Sequence, residues 1–242
     1  MCLMTYVYRI VALADSLALF LVLILLLRGP LRRFWIVFAY VLWELFSTLG
    51  LTVFEWVYGG TEGRVANADA ARTYARLYWS NDVIIDLLRF LLVIVLIYRA
   101  TSRDVRRSST RNILGMIVVV ALVLPFILFP MNANPWPKGA WFNSTSELLN
   151  FGAAIMNLVL WGALLADRKR DPQLTAVSVG LGVVVTGAAT SYGLRHLLPS
   201  QAIFIPNLFL TLTQLVGWTI WCRAFWPATK PGNVALNKAL AQ

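Results

Sequence analysis

From Leu174 to Leu194 the chain contains no formally charged side chain, and the same holds from Leu197 to Cys222. Runs of this length constrain the fold more than any other feature. A helix needs about 20 predominantly apolar residues to cross the hydrocarbon of a bilayer, where its backbone polar groups must be satisfied internally. Seven runs meet that description, over residues 6–28, 34–56, 78–99, 113–131, 144–166, 174–196 and 203–225. A hydrophobic content of 59% with only 13% charged residues and a mean hydropathy of +0.70 lie outside the range of soluble domains. The prediction is an all-α polytopic membrane protein: a single domain of seven transmembrane helices over residues 1–226, followed by a short tail over 227–242. The first run carries Asp15, extends to Leu27 and lacks a small-residue cleavage pattern, so it is expected to be a retained span rather than a signal peptide.

The net charge of +10 is placed as topology signal rather than as a nucleic-acid footprint. Arginines cluster in short connections, as in Arg28, Arg32 and Arg33 or Arg103, Arg106 and Arg107, and no soluble segment is long enough to present a binding surface. Most Lys and Arg residues fall on one set of alternate connections, which predicts an outside N-terminus and a cytoplasmic C-terminus. Aromatic residues agree, with Tyr78, Trp79, Trp136 and Trp141 at the expected outer interface and Trp35, Trp221 and Trp226 at the inner one. The orientation implies a multi-pass protein of the cell membrane, expected to be a bacterial inner membrane. In the outer connections, the stretch from Asn67 to Tyr78 is expected to form a capped helix on the membrane surface, and residues 132–143 an irregular cap. The segments Leu21 to Arg33 and Leu158 to Pro172 close alike, as do Ile97 to Ala100 and Trp221 to Ala224. That pattern admits a 3+1+3 arrangement with the fourth span as linker.

Polar residues inside the spans carry the functional argument. At 1.5 Å per residue, Arg89 and Glu44 both lie roughly 15 Å above the cytoplasmic ends of their helices, Asn157 and Gln214 roughly 14 Å, Asp15 and Asp86 roughly 20 Å, and Asp82 roughly 25 Å. Asp82, Asp86 and Arg89 are spaced i, i+4 and i+7, so they share one helix face. A charge turned to lipid costs about 2.5–3.5 kcal/mol even on insertion scales. This face is therefore expected to point inward. Tyr40, Glu44 and Thr48 form a comparable stripe on the second span, and Asn207, Thr211, Gln214 and Trp218 on the seventh. The sixth offers Gly180, Gly182 and Gly187, which permit close helix contact. The predicted ligand- or ion-binding set is Glu44, Asp86, Arg89, Asp82, Asp15, Asn157 and Gln214. Its four carboxyl groups face a single intramembrane arginine, an imbalance that burial of protons, water or a cation must offset.

Missing residues exclude several seven-helix chemistries. Lys138, Lys169, Lys230 and Lys238 all lie outside the spans, so no retinal Schiff base can form. His196 is the single histidine, which removes bis-histidine haem ligation, and the two cysteines offer no disulfide framework or thiolate metal site. Neither a phosphate loop nor a Gly-x-Ser-x-Gly elbow occurs. No catalytic residue, metal or cofactor is predicted. The expected function is transport of a small solute or cation, with proton coupling, through a buried acidic site open to the extracytoplasmic side. Two other readings fit the same spans: a seven-helix sensor or receptor signalling to a separate cytoplasmic partner, and an accessory subunit of a membrane complex. The bilayer and a small polar or cationic ligand are the expected partners, and nucleic acid is not.

Overall fold

A computed structural model describes residues 2–58, 68–101, 107–129, 139–166, 171–199, 202 and 204–226. The described residues form seven α-helices: α1 (Cys2–Arg28), α2 (Trp35–Tyr58), α3 (Ala68–Thr101), α4 (Arg107–Leu128), α5 (Gly139–Ala166), α6 (Pro172–Leu197) and α7 (Phe204–Phe225). Five of them, α1, α2, α4, α5 and α6, are long and apolar enough to cross a membrane. The two that fall short carry much of the polar set. α3 contains Asp82, Asp86 and Arg89 within its apolar half, and α7 contains Asn207 and Gln214. Outward faces are hydrocarbon-like, as at Leu13 and Leu17 of α1, Phe46 and Val53 of α2, Met116 and Ile127 of α4, and Leu158 and Leu165 of α5. Polar groups inside and apolar groups outside are the arrangement of a membrane-embedded bundle.

The predicted surface helix and the predicted third span are one helix. α3 runs unbroken for 34 residues, because neither Gly nor Pro interrupts Ala68 to Thr101 and its first turns are rich in Ala and Arg, which lose little rotamer freedom in a helix. Asp69 in the first turn complements the helix dipole, while Asn67, the expected cap, lies outside the described residues. The expected irregular cap over 132–143 is helical from Gly139 onward, and its earlier residues lie outside the described set, as does the tail over 227–242.

The helices form a closed ring in chain order. α1 packs on α2, α2 on α3, α3 on α5, α5 on α6, α6 on α7 and α7 back on α1, while α3 also reaches α6 across the interior. α4 leans against α3 and α5 from outside, and only 11% of its apolar window is buried against 67% for α6. The α6–α7 joint is made by glycines. A Cβ on Gly217 would lie 3.0 Å from the Gly180 carbonyl oxygen, and one on Gly180 would collide with the Trp221 indole. The two backbones thus cross almost in contact, as small residues allow.

Aromatic side chains seal the end of the bundle where α1 and α7 finish. Tyr40, Trp218 and Trp221 pack with ring centroids 5.1–6.1 Å apart, the Trp221 indole donates to the Val177 carbonyl at 2.9 Å, and Phe34 meets Phe225 edge-on at 5.4 Å. At the same end Asp171 caps α6, accepting from the amides of Gln173 at 3.1 Å and Leu174 at 3.3 Å, and pairs with Arg33. Pro172 at the first helical turn completes the start signal. Because the ion pair is solvent-facing, the cap dominates: Asp171→Ala is expected to lower stability by about 0.5–2 kcal/mol. Asp171→Ser, which keeps the cap without the pair, should recover most of it in thermal unfolding of the detergent-solubilised protein.

Candidate functional site

Arg89 sits at the centre of the buried polar set and its guanidinium is used on three sides. Nη1 donates to Asp86 Oδ1 at 2.9 Å, Nε donates to the Tyr40 hydroxyl at 3.0 Å, and Nη2 lies 3.7 Å from Glu44 Oε1. The last contact is an ion pair without hydrogen-bond distance. Its plane also approaches the Tyr40 ring at 5.9 Å. One i, i+3 step on α3 supplies the Asp86 contact, and α2, antiparallel to α3, supplies the other two from Tyr40 and Glu44, themselves one turn apart. Asp86 is fully buried and Arg89 is 3% exposed. A pair so enclosed is held by geometry rather than by solvent.

The set extends from Arg89 in two directions. Toward the Ala68 end of α3, the Tyr192 hydroxyl of α6 donates to Asp82 Oδ2 at 2.5 Å and stands 3.4 Å from Asp86 Oδ2. One phenol therefore bridges two carboxyls on the same face. Arg195, one turn further along α6, stacks over the Tyr192 ring at 4.7 Å, donates to Asn207 Oδ1 at 2.9 Å and lies within electrostatic reach of Asp82. Ser146 and Asn150 of α5 flank Asp86. On the other side of Arg89, Gln214 of α7 donates to Glu44 Oε1 at 3.4 Å, and Asp15 of α1 faces the Trp218 indole within electrostatic reach of Glu44 and Arg89.

Six of the seven sequence-predicted residues, Glu44, Asp86, Arg89, Asp82, Asp15 and Gln214, thus converge on one interior. Asn157 stands apart. Its amide nitrogen would lie 2.6 Å from a Cβ on Gly182, so it fills the glycine notch of α6, and its Oδ1 has no partner. The threonine of the α2 stripe is also turned away from ligand work, since Thr48 donates back to the Glu44 carbonyl at 2.8 Å. Six contributors lie outside the predicted set: Tyr40 and Trp218, which belong to the polar stripes of α2 and α7, Ser146 and Asn150 beside Asp86, and Tyr192 and Arg195 of α6. Tyr192 and Arg195 lie on a span where the small residues dominate the pattern, yet the depth arithmetic could have found them: Tyr192 comes out at roughly 27 Å, beside Asp82. Arg195 also changes the charge balance, because four carboxyls now face two arginines.

Several polar atoms in this interior have no partner. They are Glu44 Oε2, Asp15 Oδ1 and Trp218 Nε1, contributed by α2, α1 and α7, Ser146 Oγ and Asn150 Oδ1 beside Asp86, and Arg195 Nε nearer the Ala68 end of α3. An unsatisfied buried polar group costs about 1–3 kcal/mol, more when charged. Such atoms mark where a ligand, ion or proton adds most. Among the described residues no three His, Cys, Asp or Glu side chains come together as a metal-ligand set. The electron-pair donors are the oxygens of carboxylates, a phenol and amides, which suit protons and hard cations rather than soft metals, while the indole N–H can only donate a hydrogen bond. No protein-family model, curated protein or solved structure matches this chain.

Proposed function

We propose that the protein is a seven-span transporter of a small cation, N-terminus outside and C-terminus cytoplasmic, which exchanges its substrate for protons at the Asp15–Glu44 side of the buried cluster. The observation that carries this reading is the excess of carboxyl groups over arginines, with Glu44 Oε2 and Asp15 Oδ1 left unpartnered beside the aromatic faces of Tyr40 and Trp218. Carboxylates backed by aromatic rings recognise cations through charge and through the ring quadrupole. α3 and α7 are counted as spans here because their polar residues face the bundle, so their modest apolarity reflects the interior they line. Orientation rests on the basic connections.

The proton route follows the hydrogen bonds. A protonated Asp86 can hand its proton to the Tyr192 oxygen while the phenol passes its own to Asp82, which is half-buried and nearest the outer end. Arg89 holds Asp86 and Glu44 in register, so charge gained at one carboxylate is felt at the other. The ring order supports a 3+1+3 repeat: α1–α3 and α5–α7 occupy consecutive arcs, the α3–α5 and α7–α1 joints would be equivalent, and α4 lies outside as the linker.

The test is proton flux in proteoliposomes containing a pH-sensitive dye, challenged with sodium, potassium, methylammonium or guanidinium. At least one cation should evoke flux in the wild-type protein. Glu44→Gln removes a charged partner worth about 1.5–3 kcal/mol and should weaken the response roughly tenfold or more. Absence of flux with every cation, or wild-type flux in Glu44→Gln, would overturn the reading.

A further inference from the structure

At the end of the bundle away from Asp82, a cleft of about 770 Å³ opens between the last turn of α1, the first turn of α6 and the last turn of α7. Its walls combine two arginines, Arg28 and Arg223, with Gln173, Leu25, Ile220 and Trp226. Neither arginine makes an ion pair or hydrogen bond with another described residue, and both are exposed. The described acid at this end, Asp171, is occupied by Arg33 and by the amides it caps. Gln173 is likewise engaged, donating to the Ala224 carbonyl at 3.3 Å and accepting from Arg33 at 3.4 Å. Gln173 is therefore held in place, while the two arginines have no partner among the described residues.

The surroundings specify what those cations meet. Leu21 and Leu27 of α1 and Val216 of α7 are exposed apolar residues on the adjoining helix faces, and Trp226 is 63% exposed at the rim. An apolar lining, an exposed tryptophan and two exposed arginines in one cleft match the three zones of a phospholipid: acyl chain, interface and phosphate. We infer that this cleft binds the phosphodiester of an anionic glycerophospholipid, with Arg28 and Arg223 as its charge partners and the Leu25–Ile220 wall against its acyl chain. A soluble phosphate would use the arginines but not the apolar wall. A zwitterionic lipid would use the wall but bring its own cation to the arginines. The assignment to the cytoplasmic leaflet rests on the orientation proposed above; binding itself does not.

The experiment measures retained lipid by native mass spectrometry and thermal unfolding of the delipidated full-length protein. Phosphatidylglycerol, phosphatidylcholine and inorganic phosphate are added separately. Phosphatidylglycerol is expected to bind and to raise the unfolding temperature, with little effect from the other two. At the roughly fivefold per basic residue that surface arginines contribute, Arg28→Gln with Arg223→Gln should weaken retention roughly thirtyfold. Gln variants keep the apolar part of the side chain, and a wild-type unfolding temperature without lipid confirms that they fold. Equal stabilisation by phosphatidylcholine, an equal effect from phosphate alone, or full retention by the double variant would each overturn the inference. Since the readout involves no transport, its failure leaves the flux reading standing, and the reverse is also true.

Discussion

Arg89→Ala is expected to destabilise the protein by about 3–5 kcal/mol, the cost of breaking a buried ion pair by removing one partner. Asp86 has no exposure and would keep only Tyr192 and the α5 side chains around it. Glu44 would lose its ion pair and retain Gln214 at 3.4 Å. Tyr40 would lose the donor to its hydroxyl in the same step. Replacing the pair together, as in Arg89→Met with Asp86→Leu, removes the carboxylate that Arg89→Ala strands most deeply but still leaves Glu44 without its ion pair, so it should return only part of the stability. Arg89→Lys should fall between the two, because one ammonium cannot span Tyr40, Asp86 and Glu44 as a planar fork does. Chemical unfolding in mild detergent separates these cases. If Arg89→Ala stays within about 1 kcal/mol of wild type, the size of effect typical of exposed pairs, the cluster is not a structural keystone.

Gly217→Val should be nearly as damaging for a different reason. The new Cβ would meet the Gly180 carbonyl oxygen at 3.0 Å and press on the Val184 side chain, and a backbone oxygen inside a helix cannot rotate aside. Overpacking of this kind costs about 1–3 kcal/mol and sometimes more. The consequence reaches the site, because the α6–α7 crossing sets where Tyr192 and Gln214 stand relative to α3 and α2. Gly50, Gly115 and Gly162 provide the contrast, with nothing within 4 Å of an added Cβ. Alanine there should be neutral or stabilising by up to about 1 kcal/mol, the helix preference for Ala over Gly. Comparable losses at Gly217 and Gly162 in thermal unfolding would mean that the crossing is not the cause.

The parts of the site legible in the sequence were those governed by helical rise and periodicity. Arg89 and Glu44 meet because their depths agree on antiparallel helices, and Asp82 shares a face with Asp86 because four residues make about one turn. Rotation about the helix axis was harder to read. Asn157 has a suitable depth but turns into the Gly182 notch, a fact set by which residues on the neighbouring helix are small. Tyr192 escaped because a phenol is apolar enough to pass as an interfacial aromatic, although its hydroxyl joins the two aspartates. The expected break between a surface helix and the third run does not occur, because nothing in the chemistry of residues 68–78 stops the helix.

That length has a mechanical meaning. At 1.5 Å per residue, α3 is about 50 Å long, against about 40–45 Å for a whole bilayer with its headgroups. Its first turn, at Ala68, stands roughly 32 Å from Arg89 along one unbroken rod. A tilt of about 10° around the arginine would sweep that tip through roughly 5 Å. In such a tilt the exposed turns at Arg72 and Arg76 would be the far end of a lever turning on the buried charge cluster. Any tilt of α3 about the buried cluster would therefore displace its exposed Arg72 and Arg76 turns further than the carboxylates themselves.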